Sequence, residues 1–261
     1  MQDRTSTRNL QLAAWGVHLF TASGAAFGFL ALLAIEASRW EAAFAWMAVT
    51  LIIDGLDGAL ARLVNIRETL PRFAGVNLDL IVDYFTYVIV PALFFYRSEL
   101  LPNHWKLFSA MLILVASQYH SGNLDQKTTD YYFRGFPAWW NVLAFYLYVF
   151  HPPAYLNLVL VIVFGLSTFT PMLLFLHPLR VKEWKMMTVG VITIWTIVNA
   201  AILAQMPAPK RGLLIVSLAG LAYLSTVCLV RTAKRAPFVS LRDVIHPAQI
   251  AEGKEKIEAE S

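Results

Sequence analysis

Residues 53–63 read "IDGLDGALARL" and residues 77–85 read "NLDLIVDYF". The first stretch closes a long apolar run and carries Asp54 and Asp57, three residues apart. The second opens the next apolar run and carries Asp79 and Asp83, four apart. Residues at those spacings share one face of a helix, so each run presents a pair of carboxylates. Carboxylates are among the costliest side chains to place in or near a bilayer, and those found there are functional by default. Whether a bilayer is the setting depends on the rest of the chain.

The composition says that it is. Of 261 residues, 58% are hydrophobic and only 15% charged, with a mean hydropathy of +0.57. A water-facing domain carries about 25% charged residues. A hydrocarbon span needs roughly 20 mostly apolar residues. Reading apolar runs against their breakers predicts an all-α, polytopic membrane helical bundle of about eight transmembrane helices, at about 10–34, 41–61, 76–96, 105–121, 137–151, 153–176, 186–206 and 212–230. Punctuation such as "RETLPRFAG", "HPPAY" and "QMPAPKR" separates the runs. The first run exceeds the roughly 7–15 residue core of a signal peptide and reads as a retained span. Residues 1–231 form the expected membrane domain and 232–261 a charged cytoplasmic tail. The single Cys228 has no partner, so no disulfide is expected.

Charge predicts the orientation. With both termini on one side, that side holds sixteen of the 21 Lys and Arg, including Arg62, Arg67 and Arg72 between spans two and three. Positive loops stay in the cytoplasm, so both termini are expected there. The net charge of +4 then reflects topology and anionic headgroups, and no nucleic-acid partner is needed to explain it. The loop between spans two and three becomes cytoplasmic, and the four aspartates face one another across a helical hairpin near that boundary.

Four anions in one pocket repel unless they are protonated or neutralised. A hard divalent cation, Mg²⁺ or Mn²⁺, binds carboxylate oxygens and leaves room for substrate phosphates. Gly55, Gly58, Ala59 and Ala61 surround the first pair. Small residues there either let helices pack closely or leave space for a flat ligand, with Arg62 beyond them available to a phosphate.

The string "DGLDGALAR…G…D…D" resembles the signature of the CDP-alcohol phosphatidyltransferases. It matches at Asp54, Asp57, Gly58, Ala61, Arg62, Gly75, Asp79 and Asp83. Residues 63–74 separate Arg62 from Gly75, a longer spacer than the family commonly has, and one similar to that of its bacterial phosphatidylcholine synthase branch. "HLFTASG" (18–24) and "DYYFRGFPAWWN" (130–141) resemble the same branch.

The resemblance implies that Asp54, Asp57 and Asp79, with Asp83 contributing, hold a pair of divalent ions, Mg or Mn. It implies that Asp83 is the general base and that Gly58, Ala61 and Arg62 bind the CDP moiety. Gly75 is a structural position of the motif. It also implies CDP-diacylglycerol and choline as substrates, a bacterial inner-membrane location with the active site facing the cytoplasm, and a homodimer. Thr21, one turn from His18 on span one, either faces the nucleotide or makes a helix-packing contact. A quaternary ammonium is held by aromatic faces and an anion. Asp130, Tyr131, Tyr132, Phe136, Trp139 and Trp140 are the candidates, and an interfacial aromatic belt is the competing reading. Two functional alternatives stand beside the choline enzyme: a relative using serine or glycerol 3-phosphate, and an ion-coupled transporter with an intramembrane carboxylate relay.

Overall fold

In a computed structural model, residues 2–128, 132–170, 172–176 and 184–234 are described. Among the described residues, five helices are long and apolar enough to cross a membrane: Arg8–Glu36 within α1 (Gln2–Glu36), α2 (Trp40–Leu63), the composite helix Gly75–Arg97, α9 (Lys185–Ala204) and α10 (Arg211–Ala233). The composite helix runs as α4 (Gly75–Tyr84), a π turn (Phe85–Ile89) and α5 (Val90–Arg97), and a short α3 (Ile66–Thr69) precedes it. These five reproduce the expected first, second, third, seventh and eighth spans.

Of the other three, the fourth has the length expected at 105–121, and the fifth and sixth are shorter than expected. α6 (Lys106–Gly122) has 17 residues, α7 (Trp140–Phe150) 11 and α8 (Ala154–Ser167) 14. At 1.5 Å per residue they rise about 26, 17 and 21 Å, against a hydrocarbon thickness of about 30 Å. The run expected as a single span at 153–176 ends as helix at Ser167 and resumes as a strand, β2 (Leu174–Leu176), paired antiparallel with β1 (Tyr132–Arg134). Strand pairing depends on a partner far away in sequence, so an apolar run alone does not announce it. The all-α class stands, with this small ribbon added.

The chain divides into two compact units, Met1–Ser117 with Ala138–Ile162, and Gln118–Pro137 with Val163–Ser261. Most of the expected tail, residues 235–261, lies outside the described residues.

In the first unit, α1 packs along α2 and against the composite helix. Bilayer helices associate by close packing, because lipid tails are as apolar as leucine. α1 achieves it with Gly24 and Gly28, four residues apart. A Cβ at Gly24 would lie 2.8 Å from Val82 Cγ1, and one at Gly28 would lie 2.7 Å from Phe85 Cε1. That G-x-x-x-G seam was readable in "GAAFG" and went unread. Aromatic side chains fix α2, α5 and α7 together: Phe44 and Phe94 meet edge to face at 4.9 Å, and the Tyr148 hydroxyl donates to Glu41 at 2.8 Å. The Tyr84 hydroxyl donates to the Leu114 carbonyl at 3.0 Å, tying α4 to α6.

In the second unit, the ribbon is anchored to α10. Leu174 N–H donates to Thr232 Oγ1 at 3.1 Å, Leu176 N–H donates to Cys228 Sγ at 3.2 Å, and the Arg231 guanidinium sits over the Tyr132 ring. Gly135 follows β1 at φ +77, and a Cβ there would lie 2.4 Å from the Thr168 carbonyl oxygen, so only glycine fits. Polar pairs join α9 to α10: Asn199 with Ser217 at 2.8 Å and Thr188 with Tyr223 at 3.1 Å. Each such bond inside a bilayer stabilises by about 0.6–2 kcal/mol.

Candidate active site

Three of the four aspartates converge. One carboxylate oxygen from each of Asp54, Asp57 and Asp79 lies within 4.8 Å of the others. The helix period puts Asp54 and Asp57 on one face of α2, and the packing of α1 brings that face to α4, where Asp79 sits one turn in from Gly75. Asp83, the next turn on, lies within hydrogen-bonding reach of the Asp54 carboxyl and close enough to Asp57 and Asp79 for their charges to act on it. All four belong to the first unit.

Two hydroxyls secure the α2 pair. Thr21 Oγ1 donates to Asp57 Oδ2 at 2.9 Å, and the Tyr87 hydroxyl donates to Asp54 Oδ2 at 2.6 Å. Thr21, expected at the nucleotide or in helix packing, therefore touches a signature carboxylate directly. Tyr87 was not anticipated. Its signal was its place four residues beyond Asp83, on the same side of the same helix.

The remaining signature positions lie nearby in the fold. Gly58 and Ala61 are half-buried on α2, and Arg62 is exposed in its last turn. Gly75 opens α4 against His18, where an added Cβ would come 2.6 Å from His18 Cε1. The buried His18 ring packs on Phe73 at 4.3 Å between centroids, with Trp15 edge-on to both. A glycine is required at this point because the imidazole occupies the space.

The acceptor candidates do not all fall in one unit. Trp139 and Trp140 belong to the first unit, Tyr132 and Phe136 to the second, and Asp130 and Tyr131 lie outside the described residues. Trp140 is 0% exposed and its indole N–H donates to Ser117 Oγ at 2.8 Å. Tyr132 is 2% exposed beneath Arg231, and Phe136 is buried against Phe164 and Phe175. Trp139, which caps the start of α7, is half-buried.

Carboxylate oxygens from three residues and two helices, converging with a fourth acid beside them, form a donor set suited to a hard divalent cation. They are set into helices of membrane-spanning length. The family model of the CDP-alcohol phosphatidyltransferases matches residues 18–170, and the chain belongs to that family. A phosphatidylcholine synthase of Pseudomonas aeruginosa is 43% identical over 85% of this chain and 92% of its own length. A phosphatidylcholine synthase of Rhizobium johnstonii is 36% identical over 83% and 89%, and one of Bradyrhizobium diazoefficiens is 40% identical over 73% and 71%. The protein is therefore an integral membrane enzyme of phospholipid synthesis, and the transporter reading is set aside.

Proposed function

We propose that this enzyme transfers the phosphatidyl group of CDP-diacylglycerol to choline, releasing CMP, and so acts as a phosphatidylcholine synthase. The observation that carries the reading is the convergence of Asp54, Asp57 and Asp79 beside Asp83. The choice of choline is supported by the names of the relatives, which agree across several bacteria.

Asp54, Asp57 and Asp79 would hold two divalent ions, Mg²⁺ or Mn²⁺. When bound, these supply positive charge to the pyrophosphate and to the departing CMP. Asp83 accepts the proton of the choline hydroxyl as its oxygen attacks the β-phosphorus. The bond to the CMP oxygen breaks and CMP leaves with that electron pair. Gly58 and Ala61 leave room for the cytidine on α2, Arg62 contacts phosphate, and Thr21 keeps Asp57 oriented. Residues 1–231 act as the membrane transferase domain, with 232–261 a cytoplasmic tail. The site faces the cytoplasm at a bacterial inner membrane, where a lipid substrate and a soluble one can both reach it. By analogy with the family, the chain works as a homodimer.

The test is product analysis. Purified protein given CDP-diacylglycerol, Mn²⁺ and a panel of labelled alcohols should label lipid from choline alone and release CMP. Labelled phosphatidylserine, or labelled lipid from glycerol 3-phosphate, in place of the choline product overturns the assignment.

For the acceptor, the half-buried Trp139 is the ring we assign to the quaternary ammonium. A cation–π contact contributes about 0.5–2 kcal/mol, so Trp139→Ala should raise the choline KM about 2- to 30-fold and leave the KM for CDP-diacylglycerol unchanged. Trp140→Ala is expected to act otherwise. It removes a buried ring and strands Ser117, so thermal stability in detergent falls while the choline KM holds. Equal choline KM values in the wild type and Trp139→Ala place the cation elsewhere.

A further inference from the structure

We propose that Tyr87 is a positioning residue for the metal site: its hydroxyl fixes the Asp54 carboxylate so that the remaining oxygen is presented to the cation. The inference rests on reading the aspartates as metal ligands. Its geometry is independent of that reading. The Tyr87 hydroxyl meets Asp54 Oδ2 at 2.6 Å, within the short range of O–H···O⁻ bonds to ionised acceptors. Tyr87 is half-buried, and its bond to Asp54 is partly shielded from water.

The π turn explains how Tyr87 reaches Asp54. Tyr87 is eight residues beyond Asp79, and in an unbroken α-helix eight residues overshoot the starting direction by about 80°. The composite helix changes to a π turn over Phe85–Ile89, closed by Val90 N–H on the Phe85 carbonyl. A π turn spends more residues on each revolution, which trims the overshoot and keeps Tyr87 on the side of Asp79 and Asp83. Such turns are rare and gather at functional sites. Asp57 receives a matching hydroxyl from Thr21, on α1, also at its Oδ2. Each carboxylate of α2 is thus held at one oxygen by a hydroxyl from a different helix.

Hydrogen bonds of this kind orient metal-binding carboxylates, and removing one typically weakens metal affinity 10- to 100-fold. The full chain in detergent micelles, without substrate, can be titrated with Mn²⁺ and the free ion measured by electron paramagnetic resonance. Tyr87→Phe should raise the Mn²⁺ Kd by about 10- to 100-fold. Tyr87→Gln, which keeps a donor, should recover most of that loss. In an Asp54→Asn background, Tyr87→Phe should add nothing further, because its action runs through Asp54. Where Tyr87→Phe does not fold, Tyr87→Met against Tyr87→Gln makes the same comparison of non-donor with donor. An unchanged Kd in Tyr87→Phe, or an equal loss with and without Asp54→Asn, overturns the role of Tyr87 and leaves the metal site standing. A wild type that binds no Mn²⁺, or an Asp54→Asn protein that binds it normally, overturns the metal reading and this inference with it.

Discussion

Asp83→Asn is expected to bind CDP-diacylglycerol nearly as well as the wild type and to turn it over about 10²- to 10⁴-fold more slowly, the usual loss when a general base is removed. Asparagine keeps the shape of the side chain and loses its capacity to take a proton. Asp83 is the member of the four outside the converging three, one turn beyond Asp79 and within reach of Asp54. Its loss should therefore appear in kcat, with the Mn²⁺ requirement less affected than in variants of the other three. Steady-state kinetics with both substrates varied make the check. Near-normal kcat in a folded Asp83→Asn protein removes the proton-accepting role.

Asp57→Asn should show the opposite division. Asp57 is 7% exposed and sits in the converging set with Thr21 on one oxygen. Charge neutralisation by a bound metal is worth several kcal/mol in the transition state, so loss of this ligand should lower kcat/KM by about 10³-fold or more. The Mn²⁺ concentration needed for half-maximal activity should rise with it. The metal-free protein should behave differently: removing one of four crowded negative charges relieves repulsion, and the variant should melt at a higher temperature than the wild type when chelator is present. Functional sites commonly exchange stability for activity in this way. An unaltered metal titration together with a lowered metal-free Tm would make Asp57 a structural acid.

Much of this was legible because the decisive information is local. Four aspartates at helical spacing, a glycine opening the second run and an arginine closing the first are all visible in two short stretches. The hairpin that joins them follows from apolar length. Long spans were placed to within a few residues, as at 41–61 against Trp40–Leu63. What escaped depends on distant partners or on backbone without a sequence signature. Leu174–Leu176 is apolar and reads equally well as helix or strand until Tyr132–Arg134 is known to pair with it. Ala138, His151 and Trp184 take positive φ values that no glycine advertises. The aromatic density of residues 130–141 looked the same whether the rings were belt, core or ligand cage. Burial separates them, since Trp140 gives its indole to Ser117 while Trp139 stays half-buried. Tyr87 shares a helix face with Asp83, four residues before it, but its bond is to Asp54, 33 positions earlier on another helix.

The attachment of the ribbon to α10 also bears on how the chain matures. The backbone donors of Leu174 and Leu176 find Thr232 and Cys228, which lie 58 and 52 positions further along. The other strand of the ribbon, around Tyr132, is translated well before the helix Arg211–Ala233 that holds it. Its contacts with that helix can therefore form only after α10 has been synthesised. Growing chains arrested before residue 228 should leave the 132–134 segment open to protease, and chains released beyond residue 234 should protect it. The order of synthesis places the docking of the ribbon on α10 after the hairpin of aspartates has been translated.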